Sequence, residues 1–175
     1  VYDPVAEARD ATGATASAVF VPPRNAADAI IEAIDAGMEL LVCVTERIPV
    51  LDMVRVKQRL ERSNTRLIGP NSQGIMIPGR CKIGVMPAHL ERPGKVGIAS
   101  RSASLTSEVI EQISTYRLGQ SASIGIGGDP VHGMGFVDCL KLFFEDPDTE
   151  CVVLLGEIGG SDEEEAAAYL SANPA

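Results

Sequence analysis

Short apolar runs alternate with amphipathic stretches along most of this chain. In the first part, apolar runs at 16–21, 39–45 and 66–69 are rich in Val, Leu and Ile, and helix-period patterns at 25–36 and 51–62 lie between them. Strands that are apolar on both faces and separated by helices are typical of a parallel sheet covered by helices. The pattern therefore predicts repeated β-α-β units.

The same alternation returns after a break. From Pro70 to Gly94 the periodicity lapses and the chain is rich in proline and glycine, which predicts a long segment that crosses between two domains. Beyond it the pattern predicts strands at 96–99, 120–126 and 150–156 and helices at 103–115, 135–145 and 161–170. We therefore predict an α/β fold of two parallel-sheet domains, residues 1–93 (including the connecting segment 70–93) and residues 94–175.

Both predicted domains look incomplete. The opening "VYDPVAEARDATG" has the pattern of a strand remnant followed by a helix, and "SANPA" stands where another strand is expected. We therefore expect a piece of a longer protein, cut at both ends.

Composition narrows the classes of partner. The net charge is -9 and the pI is near 4.7, and an acidic chain of this kind is repelled by nucleic acid and by anionic membranes. Two histidines and four cysteines without C-x-x-C spacing argue against a metal site and favour reduced, buried thiols in a cytoplasmic compartment. Any phosphate must therefore be held by local groups.

One strand end is followed at once by a helix rich in hydroxyl residues. "GIASRSASLTSE" presents the first turn of a predicted helix, whose unpaired N–H groups and partial positive charge can bind an anion without lysines. Small residues allow an oxyanion to approach the backbone, and the hydroxyls of Ser102 and Ser104 can add donors. The alternative is an ordinary N-cap at Ser102.

Two more strand ends carry glycine turns, "GIGGDP" and "GEIGGSDEEEAA". Because ligands of open parallel sheets bind at the carboxyl ends of the strands, these turns are expected to converge with the serine-rich one. Glu157 follows the last strand and could orient a histidine or a metal, the alternative being a solvated acid. His89 and His132 have no neighbouring nucleophile with an orienting group, so a hydrolase triad is not indicated.

Taken in order, eight motifs resemble a known family. They are "GATASAVFVPP", "EAIDAGMELLVCVTE", "IPVLDMVRVK", "RLIGPN", "CKIGVMPAHL", "PGKVGIASRS", "IGIGGDP" and "GEIGGSDEEEAAAYL". Together they cover essentially the whole chain and resemble the α subunits of succinyl-CoA synthetases (succinate–CoA ligases), which belong to the nucleoside-phosphate-driven acyl-CoA ligases.

The resemblance implies a Rossmann-like CoA-binding domain followed by a flavodoxin-like ligase domain. It also implies a partner β subunit of ATP-grasp fold that binds ATP or GTP with Mg²⁺, in a heterodimer or heterotetramer in the cytoplasm or, in a eukaryote, the mitochondrial matrix. The implied reaction joins a dicarboxylic acid to coenzyme A through a phosphohistidine and an acyl phosphate.

The resemblance also assigns site residues. The family's CoA-contacting stretch at a strand end matches Val44, Thr45 and Glu46, and its glutamate that steadies the phosphohistidine matches Glu157. The helix start that holds the phosphoryl group matches Ser102, Ala103 and Ser104. The histidine itself lies in a "GHAG" motif that does not occur in these 175 residues.

Four departures from the family pattern concern the phosphate, the acid and the CoA ends. The family's Gly-Thr is Ala103-Ser104 here, its tyrosine at the organic-acid site is Ser107, its "PNCPG" reads Asn71-Ser72-Gln73-Gly74, and a glycine is replaced by Arg47. Three readings therefore stay open: a succinate–CoA ligase subunit, a ligase for malate or another dicarboxylate, and a CoA-binding module without turnover. A stand-alone NAD-binding domain is less favoured, because the glycine fingerprint is not present.

Overall fold

The computed structural model describes residues 1–173. Its first sheet contains three parallel strands side by side, β1 (Ala16–Val19), β2 (Leu40–Cys43) and β3 (Arg66–Ile68). The accompanying helices are α1 (Val5–Thr12), α2 (Pro23–Asp35) and α3 (Val50–Leu60). Helices α2 and α3 are the crossovers of two β-α-β units, as the alternation predicted.

The second sheet has five strands in the order β5-β4-β7-β6-β8. These strands are β4 (Gly74–Ile77), β5 (Cys81–Gly84), β6 (Pro93–Ser100), β7 (Gln120–Gly125) and β8 (Cys151–Leu155). The helices of this half are α4 (Ala103–Thr115), α5 (Phe136–Glu145) and α6 (Asp162–Ala172). Strand β6 lies between β7 and β8 and is parallel to both, so the predicted α/β class with parallel strands is confirmed.

The proline- and glycine-rich segment is more regular than its pattern predicted. It contains the hairpin β4–β5, and β4 pairs antiparallel with β7. The two strands were not predicted, because proline- and glycine-rich turns interrupt their alternation of apolar and polar residues. The division of the chain at residue 93 stays a prediction.

The residues of β6 alternate between two cores. Val96 and Ile98 pack in one cluster with Ile110 of α4, whereas Ala99 belongs to a second cluster that includes Phe136 of α5. This is the period-2 alternation of a strand covered by helices on both faces. Helix α4 and helices α5 and α6 therefore lie on opposite sides of the second sheet.

The two sheets share a hydrophobic core. Val42 and Ile68 of the first sheet pack in one buried cluster with Ile124 and Ile126 at the end of the second. The loop after β7 continues this contact, since the Gly133 N–H donates to the Gly69 carbonyl at 2.9 Å. The carboxyl end of the first sheet is thereby fixed against the second.

Gly127 makes the closest approach at this junction. Its φ is +98°, and a Cβ at this position would lie 2.0 Å from the Pro70 carbonyl oxygen. Both the left-handed backbone and the lack of space require glycine here. The glycine turn "GIGGDP" is therefore used to dock one half of the chain on the other.

Burial changes the ionisation of three side chains. Desolvation raises the pKa of Glu91 to about 7, partly offset by a hydrogen bond from Ser123. It also raises the thiol pKa of Cys43 to about 11 and that of Cys139 to about 12.

All four cysteines are free thiols, but the expectation that they are buried is only half correct. Cys43 and Cys139 are buried, whereas Cys81 and Cys151 are exposed because they begin strands at the two outer edges of the second sheet. Among residues 1–173, no helix is both long and apolar enough to cross a bilayer.

Candidate active site

Three strand ends meet at the same level of the second sheet. Ser100 at the end of β6 is in register with Gly125 of β7 on one side and with Leu155 of β8 on the other. The turns that follow these strands therefore lie side by side. This is the carboxyl edge at which open parallel sheets bind ligands.

The start of α4 lacks a side-chain cap. Ser102 stands at the N-cap position with φ -105° and ψ 117°, but its hydroxyl makes no capping hydrogen bond, which argues against the ordinary N-cap alternative. The Ser102 N–H is instead paired with the Ser100 hydroxyl at 3.1 Å. Because Ala103 and Ser104 are exposed and the first turn contains no acidic residue, this turn retains the anion-binding character of a free helix N-terminus.

Glu157 lies beside the glycine turn that follows β7. A methyl group built on Gly128 would be 3.4 Å from the Arg101 carbonyl oxygen, 3.7 Å from Glu157 Oε2 and 3.9 Å from Asn71 Nδ2. These three atoms thus lie around the position of that methyl group, next to Arg101, the residue before Ser102. The structure places the Glu157 side chain close to the start of α4, with the carboxylate exposed to solvent.

A buried arginine connects these turns. Only 4% of the Arg101 side chain is exposed, and its Nη1 donates to the Gly159 carbonyl at 3.0 Å. The same nitrogen lies 3.9 Å from Asp162 Oδ2 and 3.8 Å from Glu163 Oε1. The sequence reasoning gave no role to Arg101, although an arginine between two serines at a strand end was a visible signal.

His132 belongs to the same polar group. Its Nε2 lies 2.7 Å from Asp162 Oδ2 and its Nδ1 lies 3.0 Å from the Met134 carbonyl oxygen. Only 10% of the His132 side chain is exposed, so it is a positioned side chain of the junction loop. By contrast, His89 is exposed.

Three residues that depart from the family pattern lie at or near α4. The Gln73 amide donates to the Ala103 carbonyl at 2.8 Å, and the buried Ser72 hydroxyl donates to the Gly125 carbonyl. Ser72 is therefore committed to the backbone between the sheets. Ser107 is half-buried one turn beyond Ala103 on α4.

The residues predicted to contact CoA lie at the carboxyl end of β2. Val44, Thr45 and Glu46 line a shallow cavity of about 340 Å³ together with Phe20, whose side chain is well exposed. The Thr45 hydroxyl donates to the Val21 carbonyl at 2.7 Å, so it supports the backbone of this cavity. The structure brings these three residues together, on a different sheet from Ser102 and Glu157.

Asn71 connects the two groups of predicted residues. Its N–H donates to the Thr45 carbonyl at 2.9 Å, and its side-chain amide donates to Asp129 Oδ1 at 3.0 Å. Asn71 and Arg47 both have a positive φ, 53° for Asn71 and 61° for Arg47. A left-handed φ at Arg47 explains why a glycine suits that position.

Comparisons with known families agree with this geometry. A family model described as CoA-ligase matches residues 99–174, and a model described as CoA binding domain matches residues 1–47. The succinate–CoA ligase [ADP-forming] α subunit of Staphylococcus aureus (strain N315) is 50% identical over 173 residues, 99% of this chain and 57% of that protein. The corresponding subunit of Aquifex aeolicus (strain VF5) is 52% identical over 172 residues, 97% of this chain and 56% of that protein. The chain thus spans little more than half the length of these curated relatives.

Two solved structures have a similar fold. ATP citrate lyase from Methanothrix soehngenii, in complex with citrate and coenzyme A, superposes with a TM-score of 0.85 at 26% identity, over 97% of this chain and 29% of that one. A dinucleotide-forming acetyl-coenzyme A synthetase from Ca. Korarchaeum cryptofilum, in complex with phosphate and ADP, has a TM-score of 0.81 at 21% identity, over 98% of this chain and 37% of that one. The fold, the order of the two matched domains and the 50% identity over nearly every residue show that this chain is homologous to the succinate–CoA ligase α subunits over the part of their length that it spans.

Proposed function

We propose that this chain acts in the α subunit of a nucleotide-dependent acid–CoA ligase, with succinate as the first acid to test. The observation that carries the proposal is the uncapped start of α4 beside Glu157. The 50% sequence identity to a succinate–CoA ligase α subunit supports it. A phosphoryl group needs local donors in a protein of net charge -9, and a free helix N-terminus supplies them.

The proposed reaction converts an acid, CoA and ATP or GTP into acyl-CoA, nucleoside diphosphate and phosphate. The terminal phosphoryl group passes from the nucleotide to a histidine and then to the carboxylate of the acid, forming an acyl phosphate. The CoA thiol then attacks the acyl carbon, and phosphate leaves. Each transfer requires that the charge on the phosphoryl oxygens is stabilised and that the reacting groups are held in line.

The first turn of α4 would hold the phosphoryl group. The backbone N–H groups at Ala103 and Ser104 would donate to its oxygens, and the Ser104 hydroxyl can add a donor. Ser102 would hold the backbone at the entry to the turn through its own N–H bond to Ser100. Ala103 has a methyl group where the family has glycine. This methyl group would leave less of the backbone of the first turn open to the phosphoryl group.

Glu157 would act on the histidine. A carboxylate that accepts a hydrogen bond from one ring nitrogen fixes the tautomer, so that the other nitrogen carries the phosphoryl group. The exposed Glu157 carboxylate beside the start of α4 is available to a histidine that approaches from solvent. This role needs no metal on the α subunit.

Coenzyme A would be bound at the carboxyl end of β2. The cavity of about 340 Å³ offers the exposed Phe20 and the exposed Glu46 to an adenine group, and Val44 and Thr45 shape its backbone wall. A flat, partly apolar cavity with a few polar atoms suits a heteroaromatic ring. The thiol end would have to reach the turns of the second sheet, to which Asn71 connects this cavity.

The nucleotide and Mg²⁺ would be bound by a partner β subunit of ATP-grasp fold. A second helix N-terminus from that subunit, facing α4, would complete the phosphoryl site. The α subunit name of the relatives supports a heteromeric enzyme.

The test is thioester formation by the full-length protein with its partner subunit. Purified complex is incubated with CoA, Mg²⁺, ATP or GTP, and succinate, malate or a larger dicarboxylate, and acyl-CoA is measured by mass spectrometry. We expect nucleotide-dependent acyl-CoA from at least one acid, and a large loss with Glu157→Gln. CoA binding without any thioester from any acid would support the CoA-binding module instead.

A further inference from the structure

We propose that Arg101 is a positioning residue that holds the 156–163 segment, and with it the Glu157 carboxylate, at a fixed place beside the start of α4. The inference rests on the proposed function, because it concerns the same phosphoryl site. Its first support is the hydrogen bond from Arg101 Nη1 to the Gly159 carbonyl at 3.0 Å.

The burial of Arg101 needs an explanation. Its side chain is 4% exposed, and within residues 1–173 its buried Nε has no hydrogen-bond partner. Burying a guanidinium is costly even when it is paired, and an apolar side chain of similar volume is often at least as stabilising. Stability alone therefore does not account for an arginine at this position, whereas a demand for a fixed geometry does.

The middle of the 156–163 segment, residues 158–160, has few contacts of its own, whereas Asp162 at its end is also bound by His132. Gly159 and Gly160 have φ of +110° and +87°, and a Cβ built on Gly159 would meet nothing within 4 Å. Ile158, between Glu157 and these glycines, is fully exposed. A glycine turn of this kind has many accessible conformations unless a contact selects one.

A chain of contacts leads from Arg101 to Glu157. Arg101 Nη1 lies 3.8 Å from Glu163 Oε1, and the same oxygen accepts the Glu157 N–H at 3.0 Å. The contact is tight, because a Cβ on Gly156 would lie 2.6 Å from that oxygen. The guanidinium thus forms an ion pair with the carboxylate that accepts the backbone N–H of Glu157.

The other end of Arg101 is fixed to the sheet. Its backbone N–H donates to the Leu155 carbonyl at 2.9 Å, and the next residue is Ser102, where α4 begins. One residue therefore joins the start of the phosphoryl-binding helix to the turn that carries Glu157. A shift of either element would change the distance between them.

The charge of Arg101 has a second consequence. Helix α6 has four acidic residues in its first turn, 162–165, and two of them, Asp162 and Glu163, lie within 4 Å of the guanidinium. Partial neutralisation of these carboxylates reduces their repulsion of one another and helps to keep the segment that carries Glu157 in place.

Three variants of the full-length protein, in complex with its partner subunit, test the inference. Arg101→Met removes both the positive charge and the hydrogen-bond donors of the guanidinium. Arg101→Lys keeps the charge but not the guanidinium. Arg80→Met is the control. Arg80 is an exposed arginine whose only recorded ion pair in the described residues is to Asp148 at 3.4 Å. Single-turnover transfer of labelled phosphate to the histidine, KM for CoA, and amide hydrogen exchange of segment 156–161 are measured.

We expect Arg101→Met to slow single-turnover phosphoryl transfer about 10- to 100-fold, the size of effect that small misplacements of reacting groups produce. Arg101→Lys should recover part of this loss, and Arg80→Met should behave as wild type. KM for CoA should stay within about twofold, since Val44 to Glu46 lie on the other sheet. Exchange in 156–161 should become faster only in the Arg101 variants.

A double variant separates positioning from a merely structural effect. If Arg101 acts through Glu157, then Arg101→Met combined with Glu157→Gln should be about as slow as Glu157→Gln alone. Losses that multiply, or wild-type transfer and exchange in Arg101→Met, would overturn the inference. If Arg101→Met does not fold, the same comparison is made with Arg101→Lys.

The outcome also separates this inference from the proposed function. A wild-type complex that transfers no phosphoryl group contradicts the proposed function, and the exchange rates then decide on their own whether Arg101 holds the segment. Unchanged exchange in an active complex contradicts the role of Arg101 alone.

Discussion

Replacing Gly127 by alanine should damage the junction between the two sheets. The new Cβ would lie 2.0 Å from the Pro70 carbonyl oxygen and 3.1 Å from the Asn71 carbonyl oxygen, at a φ of +98°. The nearest atoms belong to the backbone, so no flexible side chain can move aside. Relief requires the loop after β7 to shift away from the first sheet.

The expected cost follows from two terms. A left-handed backbone costs a non-glycine residue roughly 1–2 kcal/mol. An overpacked contact that shifts backbone costs about 1–3 kcal/mol more. Together we expect Gly127→Ala to lower the free energy of unfolding by about 2–5 kcal/mol, a large part of the roughly 5–15 kcal/mol of a typical domain.

The neighbouring residue supplies the control. A Cβ on Gly128 would be no closer than 3.4 Å to any atom outside its immediate neighbours, and its φ lies outside the left-handed region. Gly128→Ala should therefore change the free energy of unfolding by no more than about 0.5 kcal/mol. Because the same methyl group lies 3.7 Å from Glu157 Oε2, this variant should instead slow phosphoryl transfer.

Equilibrium urea unfolding of the full-length protein measures both variants. We expect a lower midpoint for Gly127→Ala at unchanged slope, and a wild-type midpoint for Gly128→Ala. Equal midpoints for wild type and Gly127→Ala would refute the close approach of this loop to Pro70. A strongly destabilised Gly128→Ala would show that the turn is packed differently.

Three further predictions concern single side chains. Ser107→Tyr in the assembled enzyme should raise the ratio of kcat/KM for succinate to kcat/KM for malate by tens-fold, because the tyrosine ring fills the space that serine leaves at the acid site. An unchanged ratio would show that Ser107 does not line the acid site. The raised pKa of Glu91, about 7 against 4.5, makes the folded state favour its protonated form, so its contribution to stability is complete below pH 4.5 and is lost as the pH rises through 7. Glu91→Gln should remove that loss in urea unfolding at pH 5 and pH 8, and an equal loss in both proteins would contradict it. A thiol reagent at pH 8 should label two cysteines of this region quickly and Cys43 and Cys139 only after unfolding, because burial raises the pKa of both thiols; four fast labels would contradict this.

The parallel strands and their helices could be predicted because short, continuous apolar runs alternate along the chain with amphipathic helix-period patterns. The β4–β5 hairpin was missed because its strands lie in a segment rich in proline and glycine and have no amphipathic helix between them. Strand β4 pairs with β7 and β5 pairs with β4, so tertiary context more than local pattern decides the structure there.

The residues of the candidate site were easier to predict than the contacts between them. Ser102 and Glu157 stand directly after strand ends, and the geometry of parallel sheets brings such ends together. The role of Arg101 was missed, since an arginine is usually exposed and its place between two serines at a strand end was the only signal in the sequence, whereas the structure shows that its side chain is buried. The two hydrogen bonds of Asn71 were likewise not predictable, because the Thr45 carbonyl lies 26 positions and the Asp129 carboxylate 58 positions away along the chain.

The central claim is that the start of α4 and Glu157 hold a phosphoryl group in transit to an acid. Its most direct test is labelling of the full-length protein, in complex with its partner subunit, by ATP carrying a radioactive terminal phosphate. We predict an acid-labile, base-stable label on the α subunit, which succinate and CoA together discharge with release of phosphate and formation of succinyl-CoA. Glu157→Gln should reduce the rate of labelling about 10- to 100-fold. Absence of label in the wild type, or labelling and discharge at the wild-type rate in Glu157→Gln, would contradict the account.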